Sequence, residues 1–239
     1  MMMKIYDNWY YQKDESDLSH CSDPLIIIRD VCDLMLEAFN EIPDTALYII
    51  DNKHLGSPIC LDDNKTILLS TAGNTYWAQN AYQLSHELCH HFIKKKAPTG
   101  KNSWFEESIC ELASIYFLSE IASIWSVSSI DTKSSYSSSI TDYISNLLNS
   151  SLDIELKQLN IQSSVLYKEM NNSPYLRDEN NQIANKILPI FKENPSLWKD
   201  VYLIRKLNVK DLNSFFTKWS QLANQENVGA ILKISELIL

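Results

Sequence analysis

Glycine is scarce in this chain: 239 residues contain four, alongside seven prolines. A many-turned all-β fold has little to build its turns from, so the composition favours helices. Basic charge is also short, with 21 Lys and Arg against 30 Asp and Glu and a net charge of -9. No basic stripe dominates, which argues against a nucleic-acid partner. Cysteines stand at 21, 32, 60, 89 and 110. An odd number without paired spacing is no disulfide framework. The segment from Met1 to Ser19 lacks the basic-then-apolar layout of a secretory signal. No apolar run is taken to reach membrane-spanning length. These absences predict a cytoplasmic protein without a membrane partner. Histidine is missing after His91, so the later half offers no imidazole.

What is present is concentrated in Gln83-Leu84-Ser85-His86-Glu87-Leu88-Cys89-His90-His91-Phe92. It contains His-Glu-x-x-His. On a helix, residues four apart share a face, so His86 and His90 can offer their rings to one ion. Glu87 adjoins the first ligand, where a carboxylate can take a proton from water. A hydrolytic zinc site needs a third protein ligand and one open position. Carboxylates in Trp104-Phe105-Glu106-Glu107-Ser108-Ile109-Cys110-Glu111 can supply it. Spacing alone leaves Glu106, Glu107 and Glu111 open. It does place Glu107 and Glu111 on one face. The expected cofactor is Zn2+. His91 points about 100° away from His90 and reads as a packing residue.

The expected class is α+β. Residues 1–23 read as a loose lead-in. Helical spacing covers Leu25 to Ile42, followed by strands at Ala46 to Ile50, Ile59 to Leu61 and Thr66 to Ser70. The metal helix is expected over Tyr76 to Ile93 and a second helix over Trp104 to Trp125, opened by a Ser103–Glu106 capping box. Residues 126–139 hold eight serines and read as a linker or loop within 126–140. That leaves a front lobe over 1–125 and a helical lobe over 141–239. Helices are expected at 141–149, 152–171, 176–193, 196–206, 209–224 and 228–238. Pro189 should kink or break the third of these, and Pro195 suits a first helical turn.

The pairing of His86-Glu87-Leu88-Cys89-His90 with Trp104-Phe105-Glu106-Glu107 resembles the gluzincin metallopeptidases, the group that includes thermolysin and the zinc aminopeptidases. The resemblance covers about residues 45–118 and implies a zincin-like front lobe. In aminopeptidase-type members Trp-x-x-Glu ends in the third ligand, which implies Glu107. The thermolysin-type Glu-x-x-x-Asp overlay also selects Glu107 and puts Glu111 at the position that orients a ligand histidine. Small regulatory proteases that cleave phage-type repressors offer a second alignment, through Glu111-Leu112-Ala113-Ser114, that would make Glu111 the ligand.

The activity implied is zinc-dependent hydrolysis of a peptide or protein, with Glu87 as general base. Gluzincins commonly steady the oxyanion with a Tyr or His from the later lobe. With no later histidine, Tyr167 and Tyr175 are the expected residues, with Tyr143 and Tyr202 as alternatives. The equivalent of strand Thr66 to Ser70 is, in gluzincins, the edge that pairs with an extended substrate. A catalytically silent regulatory or binding module is the competing expectation, although such a module has no need of Glu87.

Overall fold

The computed structural model describes residues 2–17, 23–97, 103–149, 152–207, 209 and 211–239. The architecture is mixed α+β and 63% helical, with one small sheet. The sheet is built from β1 (Met3–Lys4), β2 (Trp9–Gln12), β3 (Leu47–Asp51), β4 (Ile59–Cys60) and β5 (Thr66–Leu69), in the order β1-β2-β3-β5-β4. β2, β3 and β5 run parallel, and the two-residue strands β1 and β4 close the edges antiparallel to their neighbours.

Two strands lie within the residues read as a loose lead-in, which corrects that expectation. The reason is alternation: Trp9 and Tyr11 are fully buried while Tyr10 and Gln12 are partly exposed. Period-two burial places one face of β2 on the core. Four residues make too short a run to stand out from the polar sequence around them. Helix α1 (Leu25–Phe39) forms the crossover from β2 to β3 that a parallel pair requires. It ends at Asn40, whose left-handed backbone (φ 51°) stops the helix before Pro43.

Helix α2 (Trp77–Lys96) is followed by α3 (Ser103–Ser126) and α4 (Asp131–Leu148). The helix α3 is apolar around its circumference and long enough, by length and composition, to cross a membrane, but 78% of that window is buried inside the protein. It therefore behaves as a core helix. Ser103, expected to cap this helix, is its first residue, and residues 98–102 before it lie outside the described range.

Most of the expected serine linker is helix α4. Serine and threonine hydroxyls fold back onto carbonyls of the preceding turn, as in Ser137 to Ser134 O (2.8 Å) and Ser145 to Thr141 O (2.9 Å). Serine costs a helix only a few tenths of a kcal/mol, ~0.5 relative to alanine. Packing of Tyr136, Ile140 and Tyr143 on one face decides the outcome. Ile140 is fully buried, and the Tyr136 ring lies 5.0 Å from Trp77. The Tyr136 hydroxyl accepts from Ala78 N–H (3.4 Å) and donates to Thr75 O (3.3 Å) at the start of α2. Both bonds are long. Tyr136→Phe is therefore expected to lower stability by only about 0.5–1 kcal/mol, read from urea unfolding.

The later chain holds α5 (Val165–Asn172), α6 (Arg177–Glu193), α7 (Leu203–Lys206), α8 (Leu212–Leu222) and α9 (Val228–Ile238), with single 3-10 turns between some of them. Pro189 does not break α6, which runs through it to Glu193. Ile183, Ile187, Ile190 and Phe191 bury the helix around the proline, and that burial outweighs one missing backbone bond. Pro195 opens its 3-10 turn, as its fixed φ suits.

The chain forms two compact units, 1–91 with 113–146 and 92–112 with 147–239. Both boundaries of the inserted segment fall inside helices, α2 and α3, and not in the serine-rich stretch. The first unit contains the sheet, with Trp9 edge-on to His91 at 5.9 Å. The second is centred on Phe105, whose ring meets Phe215, Phe216 and Trp219 at 5.3–5.9 Å.

Candidate metal centre

One turn of α2 separates His86 from His90, and their ring centroids are 5.1 Å apart. With Glu107 of α3 they form a group in which each residue offers one ligand atom, all within 4.8 Å of one another. His90 is buried, while His86 and Glu107 are partly exposed. Small rotamer adjustments close such a separation onto one ion. Two imidazoles and a carboxylate suit a divalent cation and leave coordination positions unfilled by protein. The group can therefore hold a metal ion.

The three acidic candidates on α3 have separate surroundings. Glu106 is 7% exposed and receives Arg205 Nη1 on both oxygens, at 2.7 and 2.9 Å. Glu111 is 4% exposed and accepts from Asn181 Nδ2 at 3.0 Å, while Asn185 Nδ2 donates to Asn181 Oδ1 at 3.0 Å. Glu107 alone of the three belongs to the metal-competent group. Glu87 is 5% exposed, and its carboxylate meets no hydrogen-bond donor among the described residues.

Tyr167 sits in the first turn of α5, where its N–H bonds to the Ser164 cap. Tyr175 lies before α6 and is 75% exposed. Tyr202 packs under the ammonium groups of Lys96 and Lys206, at 4.8 and 4.5 Å from its ring centre. Tyr143 packs on Tyr82 at 5.9 Å. Tyr82 precedes His86 by four residues on α2, so Tyr143 packs on a residue one helical turn before the first histidine.

The strand expected to be the edge is not one. β5 has β3 on one side and β4 on the other. β4 is the outer strand, and Ile59 is 48% exposed. Leu61 N–H bonds to Thr66 O (2.9 Å), and Ile59 lies opposite Leu68. Backbone groups alternate sides along an antiparallel pair, so the N–H and C=O of Cys60 point away from β5.

Just beyond that pairing, Ser70 gives its backbone to α2. Its N–H donates to Gln83 Oε1 (2.8 Å), and its C=O accepts from Gln83 Nε2 (2.9 Å). Gln79 Oε1 accepts from Ala72 N–H (2.7 Å) one turn earlier. The spacing of the histidines drew attention to this stretch, but nothing in it distinguished Gln83. Its signal is only that a long polar side chain stands at a position 7% exposed.

Two buried carboxylates hold backbone in the first unit: Asp51 fixes the segment entering α2, and Asp14 fixes Ser16 and Lys53. Asp51 accepts from Thr71 N–H (3.1 Å) and from the Thr71 hydroxyl. Burial nonetheless pushes its pKa above the ordinary carboxylate value. For Asp14, burial acts upward too, but hydrogen bonds from Ser16 and Lys53 N–H outweigh it and hold the pKa low. The linkage signs are opposite. Asp14 contributes stability that is present above the unfolded value of 3.8 and lost as pH falls through its lowered pKa. Asp51 favours folding most when protonated, and that contribution is lost as pH rises through its raised pKa. Asp14→Asn is expected to flatten a Tm-against-pH curve below about pH 4, and Asp51→Asn to steepen its rise just above about pH 4, where the wild-type contribution of Asp51 falls as pH increases.

Searches of protein-family models, curated proteins and solved structures return no match.

Proposed function

We propose that the chain is a zinc metallopeptidase of zincin-like build, acting on peptide or protein substrates. The observation that carries the reading is the metal-competent group of His86, His90 and Glu107, with Glu87, a mostly buried residue whose carboxylate has no donor among the described residues, directly after the first histidine. A structural carboxylate on this helix would be expected to have a donor, as Glu106 and Glu111 do on α3.

His86, His90 and Glu107 hold the ion. When bound, Zn2+ supplies Lewis-acid polarisation of the scissile carbonyl and acidifies water. Glu87 takes a proton from the attacking water and delivers it to the leaving amine. Asn181 holds Glu111, one turn from Glu107, against rotation. Residues reserved for the oxyanion are Tyr167 and Tyr175, as the resemblance implies, and Tyr143, which its contact with Tyr82 favours.

Metal analysis joined to peptide digestion tests the reading. Purified protein is expected to carry one zinc per chain and to cleave members of a peptide library, with cleavage lost on chelation. Glu107→Ala is expected to lose the metal, and Glu106→Gln to keep it. Zinc retained by Glu107→Ala, or a zinc-loaded protein that cleaves nothing, overturns the proposal.

A further inference from the structure

Asparagine is a poor helix former, and an amide side chain is costly to bury without partners. Yet α6 encloses three amides in succession, Asn180, Asn181 and Gln182, at 5, 7 and 8% exposed. The first two direct hydrogen bonds to α3. Asn180 Oδ1 accepts from the Ser108 hydroxyl (2.7 Å), and Asn181 Nδ2 donates to Glu111 Oε1 (3.0 Å). A bond at the other end of each amide sets which way it faces. Asn180 Nδ2 donates to Pro174 O (2.7 Å), and Asn181 Oδ1 accepts from Asn185 Nδ2 (3.0 Å). An oxygen is thereby presented to the Ser108 hydroxyl and an N–H to the Glu111 carboxylate.

Ser108 and Glu111 are three apart on α3 and so are neighbours on its surface. Glu107 precedes the first by one residue and the second by one turn. Asn180, Asn181, Ser108, Glu107 and Glu111 all belong to the second unit. Rotation of α3 about its axis, or a slide along it, would break both amide bonds together. His86 and His90 share one helix, so its pitch alone sets their spacing, whereas the third ligand comes from α3 and has no such local constraint. Resting on the metal-dependent reading above, we propose that Asn180 and Asn181 are positioning residues for Glu107. They lock the turn of α3 that presents its carboxylate, and through it they set the affinity and geometry of the metal site. Neither amide is a ligand.

Metal titration of the full chain against a competing chelator tests this, with the visible absorption of bound Co2+ reporting coordination geometry. Asn181→Leu, near in volume, removes the bond to Glu111. Its Zn2+ Kd is expected to rise about tenfold, and its Co2+ bands to shift from those of wild type. Asn227→Ala is the control, because it breaks a buried bond in the same unit, Asn227 Nδ2 to Asp200 Oδ2 (2.7 Å), that does not involve α3. It should lower Tm and leave the Zn2+ Kd and the Co2+ bands at their wild-type values. If Asn181→Leu does not fold, Ser108→Ala, which removes one hydroxyl and its bond to Asn180, is read in its place, with the same direction and a smaller rise expected. Unchanged Kd and bands in the variant read, whatever its Tm, or an equal loss of affinity in Asn227→Ala, overturns the positioning role and leaves the metal reading standing. Wild type that takes up neither Zn2+ nor Co2+ overturns both.

Discussion

Glu87→Gln retains one metal ion per chain and loses about 10²- to 10⁴-fold in peptide hydrolysis, the usual contribution of a positioned acid–base group. The substitution preserves the volume of an enclosed side chain and removes only its ability to carry a proton. The ligand atoms of His86, His90 and Glu107 are untouched. Because the Glu87 carboxylate has no donor among the described residues, the isosteric change removes no hydrogen bond and should leave stability near wild type. Lower activity joined to unchanged Tm is a signature that a structural glutamate does not give. Metal content, initial rates on a cleaved peptide and thermal melts on one preparation supply all three readings. Activity within a few-fold of wild type would falsify the role of Glu87 as base.

Arg205→Met destabilises the protein by about 3 kcal/mol, because it strands the Glu106 carboxylate in a site from which water is largely withdrawn. The ion pair is 2.7 Å long, with side chains 18% and 9% exposed, so solvent screens it little. The double variant Arg205→Met, Glu106→Gln should recover most of the loss, since what costs is the unpaired charge and not the absence of a pair. Chemical denaturation of the two single variants and the double variant measures the coupling. A double variant no more stable than Arg205→Met would show that Arg205 acts by packing its stem. Because Glu106 precedes Glu107, the pair also holds the first turn of α3 in the second unit.

How much of this was legible in the residues depends on the distance over which each signal acts. His86, Glu87 and His90 were visible because helical spacing is local, and the long helices because few glycines interrupt them. β2 escaped notice because four alternating residues, Trp9 to Gln12, carry too little periodic signal. The helix α4 was hidden by its serines, since its decisive contacts are made by Tyr136 with Trp77 and Tyr143 with Tyr82, 59 and 61 positions away. Glu106, Glu107 and Glu111 could not be separated by spacing. What separates them is Arg205 and Asn181, far along the chain and without a motif. The edge strand was misassigned to Thr66 to Ser70 because a short apolar run looks the same whether it is flanked on one side or on both.

Both margins of the sheet are stubs of two residues, β1 with Lys4 and β4 preceded by Pro58. A bare strand margin ordinarily templates further strands and invites polymerisation, and brevity, lysine and proline each blunt that tendency. The sheet thus ends at both margins without becoming sticky toward copies of itself. Lengthening β4 by replacing Pro58 with a β-branched residue should trade that restraint for self-association at high concentration.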